Sequence, residues 1–243
     1  MKLILVNIYL YTVTIFIYIF FFPVLPVIWV LTVPFDSKLV VLHQVTGFWG
    51  FLLFSVNPMW KLTVIGKEKI NHKKVYIIIS NHQSFVDILT LFQIQAHFKW
   101  VSKRENFKAP ILGWTMRMNR YIELERNNPK SVPHMMETCR RNIQKGISIM
   151  IFPEGTRSRD GALLPFKEGA FRIAIENKIP ILPVILDGSS KAVPTKGLMI
   201  KEKQNIIIKI LDEIPYDSFP SYNPGELKAH IRQMYLDELS KLR

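Results

Sequence analysis

The chain is 243 residues long, 49% hydrophobic, with a formal net charge of +13 and a mean hydropathy of +0.14. Its one cysteine, Cys139, excludes an intrachain disulfide and any multi-cysteine metal site. The basic excess calls for an anionic partner. No paired Cys/His finger or aromatic RNA-recognition signature is present, so an anionic membrane surface is expected and nucleic acid is not.

The first 60 residues carry only Lys2, Asp36 and Lys38 as charged side chains, so the basic excess belongs almost wholly to the rest. Residues 3–35 are free of charge, a run longer than the ~20 residues that cross a hydrocarbon core as a helix. Pro23 and Pro26 predict a kink or break within 22–26. A second apolar stretch covers 39–56. Two membrane-embedded helices joined near 34–38 are expected, not a cleaved signal peptide, because the run is long and lacks a small-x-small cleavage site. The chain then divides into an apolar anchoring segment, 1–58, and a basic globular domain, 59–243. The Lys/Arg-rich body places that domain on the cytoplasmic face.

After Asn57-Pro58 the pattern becomes short β-branched runs alternating with amphipathic stretches. Strands are predicted at 61–65, 75–80, 97–102, 121–124, 148–152, 181–186 and 206–210. Helices are predicted at 85–92, 109–116, 133–145, 169–177 and 224–242. The interleaving indicates an α/β domain with a mixed, mostly parallel sheet flanked by helices. Pro183 inside the run 181–186 suggests an edge strand or a bulge.

In such a fold ligands bind beyond the carboxyl ends of the strands. Two segments in that position look chemical: Asn81-His82-Gln83-Ser84-Phe85-Val86-Asp87, and Phe152-Pro153-Glu154-Gly155-Thr156-Arg157-Ser158. In the first, Ser84 and Asp87 also suit a plain helix start. A histidine at the tip of a buried strand is not explained that way. His82 lies just before the helix and Asp87 about one turn inside it, so the carboxylate can reach one ring nitrogen. That bond would fix the tautomer and stabilise the imidazolium formed when the other nitrogen takes a proton from an attacking hydroxyl. Ser84 lacks the glycine-flanked elbow of a serine nucleophile.

In the second segment Gly155 permits close backbone approach, and Arg157 offers a planar fork suited to phosphate. The pair of loops is compatible with acyl transfer, with a lipid hydrolase in which His82 activates water or Ser84, and with a non-catalytic lipid-binding protein.

Four blocks in order carry a resemblance: Asn81–Asp87, the Lys103-Arg104-Glu105-Asn106 segment running through Gly113-Trp114 to Arg126, Phe152–Ser158, and Pro180-Ile181-Leu182-Pro183-Val184. Together they resemble the glycerolipid acyltransferases, specifically those acting on 1-acyl-glycerol-3-phosphate. The resemblance implies an enzyme that moves a fatty acyl group from an acyl thioester to the sn-2 hydroxyl of lysophosphatidic acid, giving phosphatidic acid. By the same resemblance His82 is the general base and Asp87 its orienting partner, with no acyl-enzyme. Glu154, Gly155, Thr156 and Arg157 would bind the acceptor, and Lys103 and Arg126 its phosphate. The donor would be acyl-CoA or acyl carrier protein, and no metal or other cofactor is implied. Asn106 stands where the family more often has an apolar residue. Another lysophospholipid as acceptor is the alternative within the family.

Overall fold

The computed structural model describes residues 2–125, 128, 130–193, 200 and 202–243. Helix α1 (Lys2–Phe21) ends where Pro23 withholds a backbone donor, and α2 (Val24–Thr32) follows at once, so the predicted break falls at Phe22-Pro23. A short run of turns leads to α3 (Val40–Ser55). This third helix packs on α4 (Val86–Leu91), where Gly47 and Gly50 let the chain approach Phe92 and Leu89. The N-terminal apolar helices therefore pack directly on the α/β layer.

Seven strands form one sheet: β1 (Trp60–Ile65), β2 (Ile77–Ser80), β3 (Phe98–Lys103), β4 (Ile122–Leu124), β5 (Ser148–Ile151), β6 (Ile181–Asp187) and β7 (Gln204–Ile210). Their spatial order is β1-β7-β6-β2-β5-β3-β4. The five strands from β6 to β4 run parallel; β7 is antiparallel to β6, and β1 runs with β7. The mixed, mostly parallel arrangement matches the expectation from the strand–helix alternation.

Strand periodicity decides what each face buries. Ile77 and Ile79 of β2 and Ile149 of β5 join a cluster with α6 (Ser131–Gln144), α7 (Gly169–Asn177) and α8 (Pro224–Leu242). Ile78 and Met150 point the other way, into a cluster with Leu91 of α4 and Met116 of α5 (Leu112–Met118). Truncating any of these isoleucines to alanine should cost about 2–5 kcal/mol. Helix α8 begins with a capping box in which Asn223 accepts from the N–H of Glu226 and Glu226 accepts from that of Asn223.

Pro183 lies in an interior strand, not at an edge. Its lost donor is accommodated where the β6–β7 pairing slips. Val184 faces Ile210, yet Ile181 faces Ile214, one residue out of register, and the Pro183 carbonyl accepts from the N–H of Leu211. A bulge in the partner segment thus takes up the proline.

Candidate active site

The site is built around the end of β2. Strand β5 lies on one side of it and β6 on the other, both parallel, so the loops after all three strands leave the sheet together. The β2 loop runs from Asn81 to Ser84 and enters α4. Asn81 extends the sheet through its side chain: its amide accepts from the N–H of Leu186 (2.8 Å) and donates to the Leu186 carbonyl (2.6 Å).

His82 Nδ1 is 2.7 Å from Asp87 Oδ2. The same oxygen accepts the backbone N–H groups of Gln83 (2.6 Å) and Ser84 (2.8 Å), and Ser189 donates its hydroxyl to the other oxygen. Asp87 is fully buried in the first turn of α4. Four donors converge on it, and this matters because an unpaired buried carboxylate would be costly. A carboxylate partner requires Nδ1 to carry the proton, which leaves Nε2 as the acceptor. The His82 side chain stays 14% exposed, and Nε2 has no partner among the described residues.

The β5 loop holds His82 by its backbone. Glu154 Oε1 accepts the His82 N–H at 2.7 Å, and Ser158 N–H donates to the His82 carbonyl at 2.8 Å. Phe152 stacks on the imidazole, with ring centres 3.9 Å apart and planes 11° apart, and Trp100 stacks behind Phe152 at 5.4 Å. Ring and backbone are therefore both fixed by a segment about 70 residues downstream.

Glu154 is buried, and its second oxygen accepts the N–H of Leu164 at 3.0 Å. Burial pushes its carboxyl up to about 7, against the pull of the two N–H bonds. Both of its oxygens are thus engaged by backbone. Gly155 takes φ +67°, a left-handed turn that suits glycine, and a Cβ there would press on the Lys167 side chain at 3.1 Å.

Thr156 and Arg157 are exposed beyond this turn, without a hydrogen bond or ion pair among the described residues. Lys103 is exposed at the carboxyl end of β3, two strands from β2 or about 10 Å across the sheet. So His82, Asp87, Lys103, Glu154, Gly155, Thr156 and Arg157 all gather at one edge. Arg126 lies outside the described residues. Among those residues, no group of three or more His, Cys, Asp or Glu side chains is placed to hold a metal ion.

Three participants escape the sequence reading. Ser189 follows Gly188, whose φ of +86° turns the chain sharply after β6; a Cβ at Gly188 would strike the Asn205 carbonyl at 2.1 Å. Gln83 bridges the two loops by accepting from the N–H of Ser189 at 3.1 Å. Lys167 brings its ammonium beside Gly155. The Lys167-Glu168-Gly169 run is the one signal that draws attention to the last of these.

The family model for acyltransferases matches residues 61–187, more than half of the chain and the whole of this site except Ser189. The chain belongs to the acyltransferase family. It is 38% identical over 169 residues to a chloroplastic 1-acyl-sn-glycerol-3-phosphate acyltransferase of Brassica napus, covering 68% of this chain and 48% of that one. It is 34% identical over 184 residues to the 1-acyl-sn-glycerol-3-phosphate acyltransferase of Saccharomyces cerevisiae, covering 74% and 60%. The chain thus spans about half to three fifths of these curated relatives. The crystal structure of the 1-acyl-sn-glycerophosphate (LPA) acyltransferase PlsC from Thermotoga maritima superposes with a TM-score of 0.77 at 23% identity, over 99% of this chain and 96% of that one. That likeness establishes a shared fold for the acyltransferase domain and the helices before it.

Proposed function

We propose that this acyltransferase moves a fatty acyl group from an acyl thioester to the sn-2 hydroxyl of lysophosphatidic acid. The observation that carries the reading is the His82–Asp87 pair, with Nδ1 committed to a saturated buried carboxylate and Nε2 unpaired at the carboxyl edge. Nε2 takes the proton of the acceptor hydroxyl as its oxygen attacks the thioester carbonyl. The carbon–oxygen bond forms, the carbon–sulfur bond breaks, and the imidazolium returns the proton to the departing thiolate. Asp87 stabilises the transient imidazolium. No acyl-enzyme is required.

Arg157, Lys103 and Lys167 bring positive charge to this edge, which suits a phosphomonoester acceptor. The named activity of the curated relatives points the same way. Acyl-CoA and acyl carrier protein are the two donors to be compared.

The acceptor is a lipid, so the enzyme has to meet the bilayer. The stretch Leu3–Thr32 is long and apolar enough to cross a membrane. Its two ends are nevertheless tied to the same domain. Near the amino end of α1, Asn7 exchanges hydrogen bonds with the backbone of Ile200 (2.8 and 3.1 Å). Just past its carboxyl end Phe22 lies against Trp114 of α5, while Tyr18 packs edge-on against Trp49 of the neighbouring α3. A helix of 20 residues, about 30 Å long, that touches one domain at both ends is suited to lying in a single leaflet. The positive charge of the domain favours an anionic cytoplasmic surface.

The decisive experiment is acyl transfer from labelled acyl-CoA and acyl carrier protein to lysophosphatidic acid, comparing wild type with His82→Ala. Phosphatidic acid made by wild type and lost in a folded variant supports both reaction and base. Fatty acid released without acceptor would replace this reading by hydrolysis, and transfer only to another lysophospholipid would change the acceptor.

A further inference from the structure

A cavity of about 900 Å³ opens at the amino edge of the sheet, where β2, β3 and β5 begin, on the far side from the loops that carry His82 and Glu154. With strands of four to six residues the two edges are about 13–20 Å apart. The cavity is as large as many ligand sites. Its lining mixes two chemistries: Lys38, His72 and Lys74 on the one hand and Phe48 and Phe51 of α3 on the other, with no aspartate or glutamate lining it among the described residues. We propose that this cavity binds one anionic phospholipid of the surrounding bilayer, separately from the acceptor.

Charge and continuity both favour that occupant. Lys74 is already paired with Glu213, so among the described residues lining the cavity Lys38 is the lysine left to meet a phosphate. Asp36, which acts electrostatically on His97 and Lys99, turns its carboxylate to the N–H of Val41 at 2.8 Å. His97 lines the cavity with a buried Nε2 that has no hydrogen-bond partner among the described residues. Burial and the neighbouring Lys99 hold its pKa down at about 4, so it meets a ligand as a neutral imidazole. Behind it Lys99 is buried, with Nζ donating to the Lys38 carbonyl at 3.0 Å.

On the apolar side, Phe48 and Phe51 are 53% and 42% exposed. Phe48 lies 5.9 Å from Phe21 at the end of the anchoring helix, so the lipid-facing surface runs into the cavity without a polar break. An anionic head with acyl chains satisfies both kinds of lining residue, whereas a free anion leaves the rings uncovered.

The test is retention of fluorescent phosphatidylglycerol by the full chain in neutral detergent, a readout independent of acyl transfer. One saturable lipid per chain is expected. His82→Ala and Arg157→Met should retain it, and Lys38→Glu and Phe51→Arg should each weaken it tenfold or more with unchanged melting temperature. Acyl transfer by Lys38→Glu in phosphatidylcholine vesicles should equal that of wild type. Equal retention by wild type, Lys38→Glu and Phe51→Arg would overturn the proposal. So would loss in Arg157→Met matching that in Lys38→Glu, which would place the lipid at the catalytic mouth. Displacement by inorganic phosphate as readily as by unlabelled phosphatidylglycerol would also overturn it, leaving only an anion site.

Discussion

Glu154 holds His82 by the peptide N–H, 2.7 Å from Oε1, while the imidazole is held separately by Asp87. The imidazole ring and the backbone that carries it thus depend on different carboxylates. Glu154 has its carboxyl raised from its ordinary 4.5 to about 7, chiefly by burial. A raised folded value means that the folded state holds the proton longer than the unfolded one. The associated stability is complete below about pH 4.5 and fades as pH rises through about 7, an effect on the order of 1–3 kcal/mol. Glu154→Gln should flatten that part of the stability–pH curve. Thermal melts from pH 4.5 to 8 check this, and an unaltered slope would remove Glu154 as its source.

Asp87→Asn keeps the size of the side chain but turns an amide NH₂ toward groups that donate to the carboxylate. We expect kcat to fall about 10³- to 10⁴-fold with the fold retained. Ser189→Ala removes one of the four donors to Asp87 and should cost about tenfold or less. Steady-state kinetics of both variants test the order; a larger loss for Ser189→Ala would contradict it.

Arg157 is exposed and without a partner among the described residues, so its removal should leave the melting temperature unchanged. Arg157→Met is expected to raise KM for lysophosphatidic acid about 10- to 100-fold, the scale of one charge-assisted hydrogen bond. Arg157→Lys should recover part of it. A fall in kcat alone would assign Arg157 to the chemical step instead.

If the apolar stretch Leu3–Thr32, α1 and α2 together, lies in one leaflet, both of its ends face the same side of the membrane. In a Cys139→Ala background, Lys2→Cys and Ser37→Cys in sealed vesicles should react with an impermeant thiol reagent from the same side. Labelling from opposite sides would mean that the helix crosses.

Much of this was legible in local pattern. The strands at 148–151 and 181–187 and the helices at 169–177 and 224–242 fall where β-branched runs and helical spacing put them, within a residue at their ends. The break at Phe22-Pro23 followed from proline. His82 and Asp87 were readable as a pair because five residues of chain span them. Ser189 was not, because its link to Asp87 joins positions 102 apart that only the β2–β6 pairing brings together. Nor was the use of Glu154: the sequence shows a carboxylate in a glycine turn, and only the packed loops show two backbone amides already on it. Pro183 misled in part, since a register slip in the neighbouring segment let an interior strand accept it.

The double attachment of α1, through Asn7 at one end and Tyr18 and Phe22 at the other, has a consequence for selectivity. A catalytic domain on a flexible tether could sample a range of heights above the lipid. Here α1 is part of the packing, so under the proposed function the distance from the His82 imidazole to the leaflet would be set by the fold itself. On that reading an acceptor would be chosen for the depth at which its hydroxyl floats as well as for its head group. A lysolipid whose hydroxyl sits a few ångströms deeper or shallower has to be lifted or drawn down before it can react.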